Sequence, residues 1–267
     1  MKLDERSKEL RRLVVNMIEV DRRGHIGPAL SLIEILRVLY DSFLRIDSAN
    51  PNWIDRDRFI LSKGHGCLAL YAILSDKGFF PKSELLGFCR PNSVLGGHPE
   101  IDRALGIEAT TGALGHGLSM GVGMALAAKI RRQIHRVVVV MGDGEINEGS
   151  VWEAAMSASK HSLSNLTVFI DYNKLQSYGP TKEVLDLEPL VDKWESFGFQ
   201  TEEVNGHDVE ALTRLVQRLP LSKIKPTAII CHTIKGKGFP FAEGNAEWHH
   251  KSGLSPEDIS SMYACLN

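Results

Sequence analysis

A chain of 267 residues, 43% hydrophobic and 24% charged, is long enough for one large domain with a substantial core. A formal charge of −2 gives no argument for nucleic acid or an anionic membrane as partner. The four cysteines (Cys67, Cys89, Cys231, Cys265) lie far apart with no C-x-x-C spacing, so they read as reduced cytosolic thiols rather than a disulfide framework or zinc site.

Residues 4–20 place Leu10, Leu13, Val14, Met17 and Ile18 on one helical face, and this charged start is no signal peptide. Gly24-His25-Ile26-Gly27-Pro28 stops that helix, and Ser31–Phe43 is expected as one amphipathic helix. Arg58–Ser62 reads as a short strand running into Lys63-Gly64-His65-Gly66. Cys67–Ser75 follows as a helix, residues 81–99 as loop, and Thr110–Gly117 as a glycine loop entering the helix Leu118–Lys129. Val137–Met141 is a β-branched run of the kind a buried parallel strand requires. Gly142-Asp143-Gly144 breaks it; a helix over Ser150–Ser159 and a strand over Leu166–Ile170 come next, ending in Asp171-Tyr172-Asn173. Beyond these lie helices over Leu187–Trp194 and Val209–Leu219, strands over Phe199–Val204 and Thr227–His232, and a capped helix start at Ser255-Pro256-Glu257-Asp258. No apolar run approaches membrane-spanning length, and no repeat or linker divides the chain. The expectation is a soluble, cytoplasmic α/β protein of one domain, residues 1–267, with a mostly parallel central sheet and helices on both faces.

The most informative stretch is residues 137–176. A crossover of that length makes its two strands parallel and adjacent. Asp143 and Asn173, thirty residues apart, then both lie just beyond carboxyl strand ends, where open α/β sheets bind ligands. A carboxylate, a side-chain amide and nearby backbone carbonyls are hard oxygen ligands suited to Mg²⁺ or Ca²⁺. Gly142 and Gly144 clear side-chain bulk so that a diphosphate can approach the backbone. A bare Gly-Asp-Gly would be only a tight turn; the strand, helix, strand and Asn in sequence favour a metal-diphosphate site.

GDG followed by Asn at this distance resembles the thiamine-diphosphate motif, and GDGEINEG…WEAA…DYNKLQ resembles transketolase. The resemblance runs from about Arg12 to Gly253 and matches the first domain of a full transketolase, the thiamine-diphosphate-binding fold. It implies Mg²⁺ held by Asp143, Asn173 and the carbonyl of Leu175, with Gly142 and Gly144 beside the diphosphate. Three loop histidines match family positions: His25 in RGHIGP, with Ile26 for the usual proline; His65 in SKGHGC, at the diphosphate; and His98 in GGHPE, at the sugar end. AEWHHKSG resembles a His-Gly segment and assigns its histidine to His249, with His250 in place of glycine. TTGALGHG resembles the TTGPLGQG loop beside the cofactor, giving Gly112, Ala113 and Leu114 as contacts, with Ala113 and His116 as departures. Glu148, and more weakly Glu153, match glutamates that link paired active sites. His25, His98 and His249 would shuttle protons at substrate hydroxyls. His135, His161 and His207 are expected at the surface, and the run Lys235-Gly236-Lys237-Gly238 as a solvated loop outside the core site.

The activity implied is transfer of a two-carbon ketol unit from a ketose to an aldose, each free or phosphorylated. The glutamate and apolar cradle that activate the cofactor belong to the family's second domain, which this sequence does not contain. The chain is therefore expected to act with a C-terminal, pyrimidine-binding subunit in an α₂β₂ assembly. Two other readings stand beside this one: the α subunit of a 2-oxo-acid dehydrogenase, and a non-catalytic nucleotide-binding regulator. The SKGHG, GGHPE and TTGALGHG loops argue against the former, and the set Asp143, Asn173 and His65 against the latter.

Overall fold

The computed structural model describes residues 3–267. Helix α1 (Glu5–Asp21), capped by Asp4, buries the expected stripe and leads into a two-residue strand, β1 (Arg23–Gly24). The single helix expected over Ser31–Phe43 is broken. A short helix that was not expected, α2 (Ile26–Leu30), lies in the segment read only as a stop to α1. After a break at residues 31–32, the expected span holds α3 (Ile33–Val38) and a π-helical turn over Leu39–Phe43. The break falls at Ser31, whose hydroxyl donates to Pro28 O at 3.1 Å and to the Asp171 carboxylate at 2.6 Å. A hydroxyl bonded back to its own helix competes with the backbone ladder.

Strand β2 (Arg58–Leu61) precedes α4 (Cys67–Asp76), which is buried on nearly all sides. After a long loop come α5 (His116–Ile130), β3 (Val137–Gly142), α6 (Gly149–Lys160) and β4 (Leu166–Tyr172). The remaining elements are α7 (Thr181–Leu185), α8 (Leu190–Ser196), β5 (Gln200–Asn205), α9 (Val209–Val216), β6 (Thr227–His232), β7 (Lys251–Ser252) and α10 (Pro256–Ala264). Helix α10 opens with the expected cap, a reciprocal box between Ser255 and Asp258.

The central sheet has the order β2-β3-β4-β6-β5, every pair parallel. Every residue of β3 and β4 is buried, because helices cover both faces. Val138, Val140, Phe169 and Ile229 face one core with α1, α3, α4, α9 and α10. Val137, Val139, Val168, Ile170 and Ile230 face the other with α5, α6 and α8. This is the α/β architecture expected from the strand composition. A separate antiparallel pair, β1 with β7, was not foreseen; it aligns Gly24 with Lys251. That clasp brings the loop after β1 against the loop before β7. Among the described residues no helix is long and apolar enough to cross a membrane.

Candidate active site

The loops that leave β2, β3, β4 and β6 all emerge at one edge of the sheet, and a cleft of about 660 Å³ lies over that edge. Pairing of Gly142 with Asp171 sets Asp143 and Asn173 just past the ends of β3 and β4, as the crossover required. Asp143 is buried, accepting from Gly144 N–H at 2.7 Å and Lys174 N–H at 2.5 Å. Lys174 adopts φ +63°, which bends the chain back over Asp143. The Asn173 side-chain oxygen accepts from Leu175 N–H at 3.1 Å.

His25, His65, His98 and His249 converge on the same cleft from four separate loops. Ring centroids lie 5.5 Å apart for His25 and His65, 5.8 Å for His25 and His98, and 5.6 Å for His25 and His249; His65 and His249 stack at 5.4 Å. Gly112, Leu114, Gly142, Gly144, Glu148 and Leu175 also line it. Ala113, exposed in the same loop, does not. Glu153 points outward from α6 and lies off the cleft. His250 sits exposed at the rim, its ring 4.7 Å from His25, and His116 is exposed at the start of α5.

Four lining or underlying groups escaped the sequence reading: Asp171, its partner Lys63, Glu145 and Lys235. Asp171 is fully buried and accepts from Lys63 at 2.5 Å, from Ser31 at 2.6 Å and from the Thr233 hydroxyl. Burial opposes its charge, but the Lys63 ammonium and these donors hold its carboxyl below the ordinary range. Glu145, also buried, accepts from the backbone of Gly115 and Gly142 and from Ser62, joining the glycine loop to the end of β3. Far from solvated, Lys235 is 2% exposed, and its ammonium reaches Leu175 O at 2.6 Å and His249 Nδ1 at 2.9 Å. Buried lysine is rare enough that no composition rule would have selected it. Two histidines expected at the surface are likewise buried: His207, bonded to Glu34, and His135. His161 is half-buried.

The electrostatics of the cleft are unbalanced on both sides. Burial, then the neighbouring Asp171 charge, pushes Asp143 up to about 6. Burial and His250 push His25 down to about 4; burial and Lys235 push His249 down to about 3; burial and Lys63 push Lys235 down to about 8. His65 is held well below its ordinary value by burial and Lys63. A cation near Asp143 and an anion among the lysines and histidines would each relieve these penalties. The donor set beside Asp143, with the Asn173 amide oxygen and the Leu175 carbonyl, is all hard oxygen.

The sequence matches the family "Transketolase, thiamine diphosphate binding domain" over residues 4–266. The chain belongs to the transketolase family. It is 42% identical to the 6-deoxy-6-sulfo-D-fructose transketolase subunit SqwG of Clostridium sp. (strain MSTE9), covering 93% of this chain and 90% of that protein. It is 43% identical to one subunit of the apulose-4-phosphate transketolase of Phocaeicola vulgatus, covering 93% and 88%. Among solved structures, transketolase from Campylobacter jejuni superposes with TM-score 0.89 at 32% identity, over all of this chain but only 43% of that one. This transketolase-family chain thus carries the thiamine-diphosphate-binding fold, in agreement with the first of the three readings.

Proposed function

We propose that the chain is the N-terminal subunit of a two-subunit transketolase, in which Mg²⁺ and thiamine diphosphate bind in the cleft at the carboxyl edge of the sheet. The observation that carries this is one cleft that holds a buried acid raised above its ordinary value, Asp143, together with bases held below theirs, His65 and Lys235. Asp143, Asn173 and the Leu175 carbonyl would hold the metal. His65, Lys235 and the backbone at Gly144 would face the diphosphate, with Gly112 beside it and Leu114 as the apolar wall. Thiamine diphosphate, when bound, supplies the nucleophilic carbon for breaking and making the carbon–carbon bond of a ketose.

This chain's own contribution is positioning and proton handling. His25, held neutral at pH 7 by burial and by the charged groups around it, presents a ring nitrogen able to take a proton from a substrate hydroxyl. His249, its Nδ1 accepting from Lys235, carries its proton on Nε2 and would donate it to a substrate oxygen. His98, exposed at the mouth, is placed for proton transfer at the sugar end. Lys235 fixes the His249 ring through its Nδ1. The substrates are proposed as a ketose donor and an aldose acceptor, free or phosphorylated.

The remaining proposals concern assembly. We take residues 1–267 as one cytoplasmic domain that pairs with a pyrimidine-binding subunit in an α₂β₂ complex. Support comes from the relatives named as subunits, which the chain matches over 88–90% of their length. Leu114, Tyr178, Val184 and Leu185 are exposed apolar residues at the cleft mouth, Glu148 and His98 are exposed around it, and His116 is exposed at the start of α5. The test is a coupled ketol-transfer assay on the chain co-expressed with a candidate second subunit, with Mg²⁺, thiamine diphosphate and a panel of ketoses. No turnover of any ketose by a pair that co-purifies would overturn the reading.

A further inference from the structure

We infer that His207 is a positioning residue for Lys235, acting from behind the cleft through the backbone of Ile234. His207 lies in the turn between β5 and α9, away from the four histidines of the cleft. Its Nε2 is 2.8 Å from the Ile234 N–H, and its Nδ1 is 2.8 Å from Glu34 Oε2. An amide can only donate, so Nε2 carries the lone pair and Nδ1 the proton, which it donates to the carboxylate. Glu34 is fixed in turn by the buried Arg11, at 2.6 and 3.1 Å. Arg11 also donates from Nε to Lys237 O at 2.9 Å, and Gly236 N–H donates to Gly27 O at 3.1 Å.

The segment around Lys235 is therefore held before it by His207 and after it by Gly27 and Arg11, while Gly244 N–H donates to Lys235 O at 2.9 Å and Thr233 N–H to Tyr172 O at 3.2 Å. Gly236 takes φ +79°, with no room for a Cβ against Ala242 O, so the turn has one path. Lys235 is left to project into the cleft, toward Leu175 O and His249 Nδ1. An ammonium does not enter a buried site unaided, since desolvation drives it outward. The His207 bond is the one pin that a single side chain supplies to the residue preceding Lys235. It transmits the Arg11–Glu34 pair to the cleft.

Two substitutions separate the halves of this device. In His207→Gln the amide oxygen occupies the place of Nε2 and accepts from Ile234. In His207→Asn the amide nitrogen replaces Nδ1 toward Glu34, and nothing reaches Ile234. In crystal structures of the full chain without cofactor, wild type and His207→Gln are expected to keep the Lys235 ammonium on Leu175 O, and His207→Asn to release it. In calorimetry with Mg²⁺ and thiamine diphosphate, His207→Asn is expected to weaken binding about 10-fold or more, in the range seen when a supporting group behind a site is lost. Lys235→Ala should weaken it similarly, and the double variant no further. Lys235 staying in place in His207→Asn, or additive losses in the double variant, would overturn the inference. Should His207→Asn not fold, imidazole ¹⁵N shifts of the wild-type chain still decide, because a protonated Nε2 contradicts it. The calorimetry rests on the proposed function, whereas the crystallography and tautomer measurements do not. Absence of cofactor binding by wild type would count against that function and leave the positioning question to them.

Discussion

At the scale of single residues, Asp143 and Glu34 show how buried carboxylates serve opposite ends. Asp143 is a buried carboxylate kept in place by two backbone N–H groups. Asp143→Ala is expected to abolish metal-dependent binding of thiamine diphosphate in calorimetry while leaving the melting temperature of the chain no lower. Undiminished affinity would remove Asp143 from the metal site. Glu34 is structural. It is buried between Arg11 and His207, and although burial opposes its charge, Arg11 holds it down to about 2. The folded value lies below the ordinary 4.5, so the stabilisation is complete above pH 4.5 and drains away as pH falls toward 2. It amounts to on the order of 3 kcal/mol. Glu34→Gln leaves Arg11 charged and buried, for which a loss of about 3–5 kcal/mol at pH 7 is expected in urea unfolding. The variant should also lose the wild-type decline in stability between pH 4.5 and 2.

At the scale of elements, the carboxyl edge depends on loops that pass within contact of one another. Gly115 adopts φ +82°, and a Cβ there would meet Glu148 Cβ at 2.6 Å. Gly115→Ala therefore combines a left-handed conformation, costing about 1–2 kcal/mol, with displacement of the loop holding Glu148. A fall in thermal stability together with weaker cofactor binding is expected; an unchanged melting temperature would mean that the two loops do not meet as described. Most elements were legible. β6 was expected at its observed bounds, and β3 and β4 within two residues, because fully buried parallel strands are β-branched runs with sharp ends. The region of α2 and α3 was not. Its residues are buried all round, so amphipathic spacing carries no information there, and the break is made by a Ser31 hydroxyl bonded to distant Asp171.

At the scale of the whole molecule, the chain matches 36–43% of full-length transketolase relatives and about nine-tenths of relatives named as subunits. Purified alone with Mg²⁺ and thiamine diphosphate, it is expected to show no ketol transfer, with activity appearing only on reconstitution with the second subunit. Light scattering of the reconstituted complex should return the mass of two copies of each chain. Turnover by the single chain comparable to that of the pair would refute the two-subunit proposal.

Sequence order placed Asp143 and Asn173 at strand ends on one edge, because a crossover of this length makes the two strands parallel, and consecutive strands are commonly neighbours, as β3 and β4 are. His25, His65 and His98 were marked by the resemblance of their glycine-bounded loops to transketolase, since a loop histidine taken singly is more often a surface residue. Burial was decided elsewhere. Whether a lysine or histidine is solvated depends on what the rest of the chain lays over it, and no local pattern records that. Lys235 enters the cleft because Arg11 and Gly27, more than 200 residues away in the chain, hold the backbone at Gly236 and Lys237. His207 is roofed by helix α3 through Glu34, from the other end of the sequence. Local chemistry named the ends of the strands; only long-range packing determined which charges face the cleft and which support it from behind.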